Sequence, residues 1–247
     1  MTWFRSQKNP TKFTVCTWSG GTDAEVAAML AAHYAGQIDI HDYWSVGDER
    51  VVSLSAMSAT GVGESHAAQN VTLVLTEEGG KTLSDGTTTC AFQFDQKHSL
   101  DEPGYMNSTN TNAGGWKSSA RRTWCNSVYK NAFPATLQPI FKEFINQSGT
   151  GNGSSSRVEN TTDTFALRAE VEVFGSLTYS VSGEGTQVEY YKTSANRIKQ
   201  TAGSDANWWE RSPRKGVTGI FCRVNASGAA GAINAGSNYG LAPFGCI

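Results

Sequence analysis

The hydrophobic pattern near the N-terminus predicts a strand followed by a helix. Residues Lys12–Trp18 alternate between apolar and polar positions, as a half-buried strand does. Thr22 and Glu25 have the spacing of a capping box, and the run Ala24–Tyr34 after them is rich in Ala, Met and Leu. We therefore expect residues 1–41 to form a small strand-helix element, which attaches the protein to a particle or to further copies of itself.

Short apolar runs bounded by turn residues predict several strands farther along the chain. The predicted strands cover Arg50–Leu54, Val71–Leu75, Thr87–Phe94 and Thr164–Leu167. The pair Gly79-Gly80 favours a turn, so the second and third of these strands are expected to pair with each other. Residues 100–115 are dominated by Asn, Thr, Ser and Gly, and this composition is typical of a loop.

Helical periodicity appears in the middle of the chain. Apolar residues recur there every four positions, at Trp116, Ala120, Trp124, Val128 and Ala132. This spacing predicts a helix over Ser118–Phe133 that Pro134 ends. A second helix is predicted over Leu137–Asn146, and a short helical segment over Arg168–Phe174. The elements together predict an α+β domain over residues 42–247, with two helices, short antiparallel strands and long loops.

The C-terminal segment, residues 207–247, differs from the rest of the chain in its pattern. Large, structure-setting residues stand at both of its ends, and they include Trp208, Trp209, Pro213, Leu241, Pro243 and Phe244. Between them lie a β-like run, Ile220–Val224, and a long stretch of small and amide residues. No acid, base or nucleophile has the arrangement that catalysis needs, so the segment indicates recognition rather than reaction.

Composition and charge restrict the classes of partner. Apolar residues make up 38% of the 247 residues, charged residues 17%, and the formal net charge is −2. A nucleic-acid-binding domain normally has a basic face, so we expect no nucleic acid partner. The longest apolar stretch is far shorter than the roughly 20 residues that a membrane-spanning helix needs, so we expect no membrane insertion. The N-terminus has no apolar segment typical of a secretory signal, which predicts synthesis in a cytoplasm.

The five cysteines are scattered and include no C-x-x-C pair, so we expect buried free thiols rather than disulfides or a zinc site. The four histidines lack the spacing of a metal or catalytic motif, and Glu64-Ser65-His66 alone does not make a triad. No metal and no cofactor are predicted. Arg121, Arg122 and Lys130 form a small basic patch that we expect to pair with local acids or loop carbonyls.

The carboxylates give no catalytic pattern either. Glu64, Glu143, Glu170, Glu172 and Glu210 share no spacing, and we expect them to be solvated charges. The two carboxylates of a glycosidase can be far apart in sequence, so that alternative stays open.

Two motifs in the C-terminal segment carry a resemblance to a known class of protein. The chain reads W-W-E-R-S-P over residues 208–213 and G-L-A-P over residues 240–243. This pair resembles the W-W-x-R-S-P and G-x-x-P motifs of bacterial and phage proteins with a C-type-lectin-like fold. The class includes the variable proteins of diversity-generating retroelements, among them phage tropism determinants that bind host surface receptors. Shorter segments such as Tyr43–Asp48 and Arg121–Cys125 look similar to phage-encoded members.

The resemblance implies two roles within the C-terminal segment, a scaffold and a set of positions that face a ligand. The scaffold would consist of Trp208, Trp209, Arg211, Pro213, Leu241, Pro243 and Phe244. The positions presented to a ligand would be Arg214, Lys215, Val217, Thr218, Arg223, Asn225, Ala229, Ile233, Asn234, Ser237, Asn238 and Tyr239. Asparagine, serine, glycine and tyrosine also dominate antibody binding loops, where they offer adaptable hydrogen bonds at low entropic cost.

The chain also departs from related patterns on this fold. Calcium-dependent sugar-binding lectins use E-P-N or Q-P-D with W-N-D, whereas this chain has Asp101–Gly104 and Trp209–Arg211 in those contexts. We therefore expect no calcium-dependent sugar site. Formylglycine-generating enzymes use a reactive cysteine pair, and Cys222 with Cys246 lacks its context.

The resemblance implies a non-enzymatic receptor-binding protein on a phage virion, made in the bacterial cytoplasm. Its partners would be a host cell-surface receptor, protein or glycan, and other virion proteins through residues 1–41, with the chain forming a homo-oligomer. One alternative is a structural virion protein, a decoration or fibre-head protein without a selected ligand. Another is a hydrolase of cell-wall glycans on the same fold.

Overall fold

The structure, a computed structural model, describes residues 13–59 and 61–247. Within these ranges the protein is a mixed α+β molecule with few helices and several small antiparallel sheets. The predicted class, α+β with short antiparallel strands and long loops, is thereby confirmed.

The largest sheet has five strands in the order β1-β2-β3-β12-β6, all antiparallel to their neighbours. The strands are β1 (Glu49–Leu54), β2 (Gln69–Glu78), β3 (Phe92–Gln96), β6 (Phe165–Ala166) and β12 (Phe244–Cys246). The predicted pairing of the second and third strands is confirmed. The last strand of the chain lies inside this sheet, between β3 and β6, so the C-terminal residues are part of its core.

Helix α1 (Asp23–Tyr34) begins at the predicted capping box. The Glu25 N–H donates to Thr22 Oγ1 at 3.3 Å, and the Thr22 N–H donates to Glu25 Oε2 at 2.9 Å. Arg50 on β1 holds the chain before this helix, because its Nη1 donates to the carbonyl oxygens of Trp18 and Gly21. The buried residues of α1 belong to the same hydrophobic core as the main sheet.

The strand predicted over Lys12–Trp18 is wrong for residues 13–18, and Lys12 lies outside the described residues. The backbone of Cys16 bonds to side chains instead of to a neighbouring strand. Its N–H donates to Met29 Sδ at 3.2 Å, and its carbonyl oxygen accepts from Trp44 Nε1 at 2.9 Å. Trp18 turns into the core whereas Val15 is exposed, so the apolar positions of this run do not share one buried face.

The predicted central helix exists but is not one regular α-helix. It consists of α2 (Ala120–Trp124), a π-helical turn (Cys125–Tyr129) and α3 (Lys130–Ala132). The apolar residues recur every four positions, which is longer than the 3.6 residues of an α-helical turn. The wider π turn fits this longer spacing, and two residues of the turn, Cys125 and Tyr129, are buried.

The helix predicted over Leu137–Asn146 is wrong. A short 3-10 turn (Gln138–Ile140) contains Pro139, and strand β4 (Phe144–Gly149) follows. Strand β4 pairs with β5 (Val158–Asp163) over six residue pairs. The apolar side chains of this region are buried against the main core in an extended backbone, and single-sequence periodicity does not separate these two cases over so short a run.

The remaining elements include the other strands of the C-terminal segment. They are α4 (Glu170–Phe174), β7 (Lys199–Thr201), β8 (Ser204–Ala206), β9 (Trp208–Pro213), β10 (Ile220–Val224) and β11 (Ala230–Asn234), with 3-10 turns at Ile40–Asp42, Glu189–Lys192 and Ser194–Arg197. Strands β9, β10 and β11 form a three-stranded sheet in the order β11-β10-β9. The predictions of a strand over Ile220–Val224 and of a short helix ending at Phe174 are confirmed.

Two further findings concern residues 13–59 and 61–247. No helix there is long and apolar enough to cross a membrane. The five cysteines are free thiols, and all of them except the half-buried Cys16 are buried, which confirms the prediction for four of the five.

Candidate ligand-binding face

The seven residues predicted as scaffold, here called the frame, are all buried. They are Trp208, Trp209, Arg211, Pro213, Leu241, Pro243 and Phe244. Because side chains alternate along β9, Trp208 enters a small apolar cluster and Trp209 enters the main core. Trp208 Nε1 donates to the Arg197 carbonyl at 2.9 Å, and Trp209 Nε1 donates to the Gly104 carbonyl at 2.7 Å. Each indole thus has both apolar contacts and a hydrogen bond.

The two sequence motifs meet in space. Trp208 pairs with Gly240 in a parallel bridge, and the Trp209 N–H donates to the Gly240 carbonyl at 3.0 Å. The Gly240 N–H donates in turn to the Asn207 carbonyl at 2.8 Å. A Cβ on Gly240 would lie 2.3 Å from Ser99 Oγ and 2.9 Å from Thr201 Oγ1, so this contact requires a glycine. The frame therefore fixes both ends of the C-terminal segment to each other.

Arg211 connects β9 to three other parts of the chain. Its guanidinium donates to the carbonyl oxygens of Gln147 at 3.1 Å, Leu167 at 2.9 Å and Glu184 at 2.7 Å. It also forms a salt bridge with the carboxylate of Glu172. The planar five-donor geometry of arginine suits this set of acceptors, and lysine does not reproduce it.

Glu172 is the shared acid of a buried ionic cluster. Lys81 Nζ lies 2.6 Å from its Oε1, and Arg211 pairs with the same carboxylate. Burial disfavours ionisation of Glu172, but the charges of Arg211 and Lys81 outweigh it and lower the pKa of this carboxyl. Glu172 is therefore ionised throughout the physiological pH range.

Phe244 packs against a second ion pair. The guanidinium carbon of Arg168 lies 3.8 Å from the centre of the Phe244 ring, and Arg168 also forms a buried salt bridge with Asp95. Tyr191 donates its hydroxyl to the same carboxylate at 2.5 Å. Phe244, at the C-terminal end of the frame, thus stacks on the guanidinium of Arg168, and the charge of this guanidinium is paired with Asp95.

Glu210 on β9 is buried in a different environment. Neither of its carboxyl oxygens has a hydrogen-bond partner among the described residues. Burial, together with the nearby acids Glu170 and Glu184, raises the pKa of Glu210 well above its ordinary value. In the folded protein the Glu210 carboxyl is therefore neutral when the pH equals its ordinary pKa and also when the pH is somewhat higher. The expectation that Glu170, Glu172 and Glu210 are solvated charges is wrong for all three, since each is buried.

The twelve positions predicted to meet a ligand, here called the display face, include no buried residue. They are Arg214, Lys215, Val217, Thr218, Arg223, Asn225, Ala229, Ile233, Asn234, Ser237, Asn238 and Tyr239. Phe221, Cys222 and Val224, which lie between these positions on β10, are buried. Exposure permits contact with a ligand, and ligand binding itself stays a prediction.

One end of the display face is the loop 214–219, between β9 and β10. The buried side chain of Asn112 holds this loop, because its Nδ2 donates to the carbonyl oxygens of Val217 at 2.8 Å and Ile220 at 2.9 Å. Its Oδ1 accepts from the Asn152 N–H at 2.8 Å, which adds the loop after β4. The sequence pattern places Asn112 in the loop of residues 100–115 and does not identify it as a residue that supports the display face.

The other end of the display face contains a cavity of about 330 Å³. Asn238 and Tyr239 line it together with Asp205 and Asn207. Arg223 Nη1 donates to Asn207 Oδ1 at 2.8 Å, and its guanidinium lies 5.5 Å from the centre of the Tyr239 ring. Since β10 has five residues at about 3.4 Å each, the two ends of the face are roughly 15 Å apart.

Three display positions also serve the fold. Asn225 Oδ1 accepts from the Ser227 N–H at 3.0 Å and the Ala229 N–H at 2.8 Å, so it closes its own turn. Ile233 and Tyr239 pack against the main core while keeping partial exposure. These three positions have less freedom to vary than the display positions without such contacts.

The other candidate residues have structural surroundings. Arg121 pairs with Glu64, and Arg122 Nε donates to Asp163 Oδ1 at 2.6 Å. The predicted pairing with acids is thereby confirmed for these two arginines, whereas Lys130 Nζ donates to the hydroxyl of Thr164 at 3.1 Å. His66 is buried, and burial together with Arg121 lowers its pKa to about 4.

Acidic, histidine and cysteine side chains are the usual protein ligands of metal ions. Residues 13–59 and 61–247 contain no group of three or more of them that could hold a metal ion.

Comparisons with known proteins identify a family but no named relative. No curated protein and no solved structure matches the chain. A family model matches residues 69–247, from the first residue of β2 to the C-terminus, and so covers the frame and the display face but neither α1 nor β1. The chain therefore belongs to the family described as a domain of unknown function, DUF6273.

Proposed function

We propose that this protein is a non-enzymatic ligand-binding protein, displayed on a phage virion, that contacts a host-surface receptor through its display face. The observation that carries the proposal is the division of residues 207–247 by burial. Every frame residue is buried and every display residue keeps exposure. A rigid support beneath exposed and adaptable side chains is the arrangement that recognition by loops requires.

The finer fold assignment, a C-type-lectin-like fold, is part of the same proposal. It is supported by the contact between the two motifs on which the resemblance rests, where Trp208 pairs with Gly240 across more than thirty residues of sequence. The position of β12 inside the main sheet, between β3 and β6, also brings the C-terminal motif into the core. A structure solved by experiment and compared with lectin-like folds tests this assignment.

The hydrolase alternative is less well supported by the acids of the molecule. Glu77 and Glu172 line one groove of about 210 Å³, together with Lys81. A glycosidase general acid needs a raised pKa, but the pKa of Glu172 is lowered despite its burial, because Arg211 and Lys81 lie beside it. Glu77 accepts a hydrogen bond from the Glu189 N–H. This pair therefore lacks the chemistry of an acid and a base at neutral pH.

The N-terminal element would make the contacts to the particle or to further copies of the chain. The inner side of α1, with Val26, Met29 and Leu30, is buried in the core of the domain. Attachment through this helix would therefore use its exposed side, which includes Ala24 and Ala31.

The proposal is tested by exchanging display residues together. A variant with Arg214, Lys215, Thr218, Asn234 and Asn238 all changed to alanine should lose binding to the bacterial strains that the wild-type protein labels. Its melting temperature should stay close to that of the wild type, since none of the five side chains is buried. Binding of labelled protein to a panel of strains, followed by flow cytometry, measures the effect.

A matched control changes exposed positions elsewhere. Glu49, Val51 and Ser53 lie on the exposed side of the edge strand β1. Their exchange for alanine should leave cell binding unchanged. Equal binding by the display variant and the wild type would refute the proposal and favour a structural virion protein.

A further inference from the structure

The cavity at the second end of the display face is built on fixed backbone. Its lining residue Tyr239 forms a pair of hydrogen bonds with Gly104, each N–H donating to the other carbonyl, at 2.9 and 3.0 Å. Gly240 and Asn207 are joined by a further backbone bond at 2.8 Å. The walls are therefore preorganised, which lowers the ordering cost of binding.

The Tyr239 side chain is fixed as well. Its ring meets the Trp209 ring edge to face, with the centres 5.3 Å apart, and the Arg223 guanidinium lies near the same ring. Arg223 is oriented in turn by Asn207. Tyr239, the aromatic wall of the cavity, thus packs against the frame residue Trp209. The frame therefore supports the cavity directly.

The polar groups of the cavity include both donors and acceptors. The lining residues Asn207, Asn238, Tyr239 and Asp205 carry two side-chain amides, a phenol and a carboxylate. Amides and hydroxyls donate and accept, whereas a carboxylate only accepts. A ligand with several hydroxyl groups matches this mixture, because each hydroxyl also both donates and accepts.

Charge narrows the class of ligand. Among the described residues that line the cavity, Asp205 is the one with a charge, so an anionic ligand would be repelled. A cationic ligand is disfavoured at the aromatic wall, because the Arg223 guanidinium already lies 5.5 Å from the Tyr239 ring centre. The volume of about 330 Å³ is near the lower limit for small-ligand sites, roughly 300 Å³, and so suits a single ring.

From these observations we propose that the cavity is a subsite for a neutral pyranose ring of a host surface glycan, bound without a metal ion. The apolar side of the sugar packs against Tyr239, and its hydroxyl groups bond to Asn238, Asn207 and Asp205. The inference rests on the proposed function and names the chemistry that one end of the display face recognises.

The test measures binding of free sugars to the full chain. The probes are neutral methyl hexopyranosides and methyl N-acetylhexosaminides, and saturation-transfer difference NMR detects the bound sugar. At least one probe should bind, on the order of 1 mM, which corresponds to about −4.1 kcal/mol. Binding should be unchanged by EDTA, and N-acetylneuraminic acid and tetramethylammonium should not bind.

Two variants locate the site. Asn238→Ala and Asp205→Ala, both at exposed positions, should each weaken binding about threefold to tenfold, as the loss of a hydrogen bond to the ligand does. Asn234→Ala, an exposed asparagine on β11 away from the cavity, is the control and should bind as the wild type does. The inference is overturned if no neutral sugar binds, if only the charged probes bind, or if both cavity variants bind like the wild type.

Cell binding separates this inference from the proposed function. If the five-residue display variant loses cell binding while Asp205→Ala and Asn238→Ala retain it and bind no less sugar, the display function stands and the sugar subsite is wrong. If the five-residue variant also binds cells normally, both proposals fail.

Discussion

Strands β9 and β11 are the two edges of one three-stranded sheet, yet they have opposite relations to the rest of the protein. All six residues of β9 are buried, and they include two tryptophans, an arginine and a glutamate. Strand β11 reads A-G-A-I-N, and only Gly231 is buried. One edge is surrounded by the domain, and the other is open to solvent.

The difference lies in how many partners each side chain has. Arg211 alone bonds to Gln147, Leu167, Glu172 and Glu184. The side chains of Ala230, Ala232 and Asn234 on β11 form no ion pair among the described residues. Substitutions on β9 must therefore disturb several segments at once, whereas substitutions on β11 affect mainly the surface. The same sheet thus combines an intolerant edge with a tolerant one.

The largest effect is expected when Arg211 is removed. Arg211→Ala leaves Glu172 with one less cation and removes a donor from three carbonyl oxygens, two of them in buried hydrogen bonds, so we expect a loss of about 3–5 kcal/mol in the free energy of unfolding. Arg211→Lys should recover little of it, because lysine lacks the planar fork. Urea denaturation followed by tryptophan fluorescence measures the change.

The matched control is Lys215→Ala, an exposed cation in the loop that follows β9. It should change the stability by no more than about 0.5 kcal/mol. Similar losses for Arg211→Ala and Lys215→Ala would remove the distinction between frame and face.

The next effect concerns the support of the display loop. Asn112→Ala leaves the carbonyl oxygens of Val217 and Ile220 and the N–H of Asn152 without this partner. We expect a loss of about 2–3 kcal/mol and faster amide exchange in residues 214–219. Asn110→Ala is the control, because exposed Asn110 accepts a single bond, from the Gly236 N–H at 3.1 Å. An unchanged exchange rate in the loop would contradict the role of Asn112.

The sequence predicted which residues of the C-terminal segment are buried better than it predicted why. The tryptophans and prolines of the frame stand out by their size and type, and their burial followed from that. The ionic cluster was missed, because Lys81, Glu172 and Arg211 lie far apart in the chain. Charged residues are usually solvated, so no single-sequence rule places these three in the core.

Elsewhere, predictions from local sequence patterns succeeded where the residues that determine the structure are close together in the chain. The capping box of Thr22 and Glu25 fixed the start of α1 because both partners lie within one turn. The region 137–146 failed because its apolar spacing fits a helix, while the pairing of β4 with β5, which lies beyond this region, decides the outcome. Asn112 was not identified because its bonds reach residues about forty and one hundred positions away.

Glu210 provides a test of the frame that depends on pH. Burial and the neighbouring acids raise its pKa above the ordinary 4.5, so the folded protein holds a proton that the unfolded chain releases. This contribution to stability is complete below pH 4.5 and is lost as the pH rises toward the pKa of the folded state. Each unit in that interval costs about 1.4 kcal/mol.

Glu210→Gln removes this dependence while keeping the size of the side chain. The variant and the wild type should have similar stability near pH 4, and the variant should be more stable by about 1.4 kcal/mol one unit above pH 4.5. Urea denaturation between pH 4 and pH 8 measures the difference. A difference that does not change with pH would mean that Glu210 is ionised in the folded protein.

The smallest effects should come from single substitutions on the display face. Thr218→Ala, Asn234→Ala and Asn238→Ala each alter an exposed side chain, and each should change the free energy of unfolding by no more than about 0.5 kcal/mol. Asn225→Ala should cost more, about 1 kcal/mol, because its Oδ1 accepts several hydrogen bonds within its own turn. Thermal and urea unfolding of the four variants give these values. If Asn225 alone departs from the others, exposure and turn bonding together define which positions of the face are free to vary. If the three exposed positions cost as much as Asn225, the face is part of the fold rather than a surface carried by it.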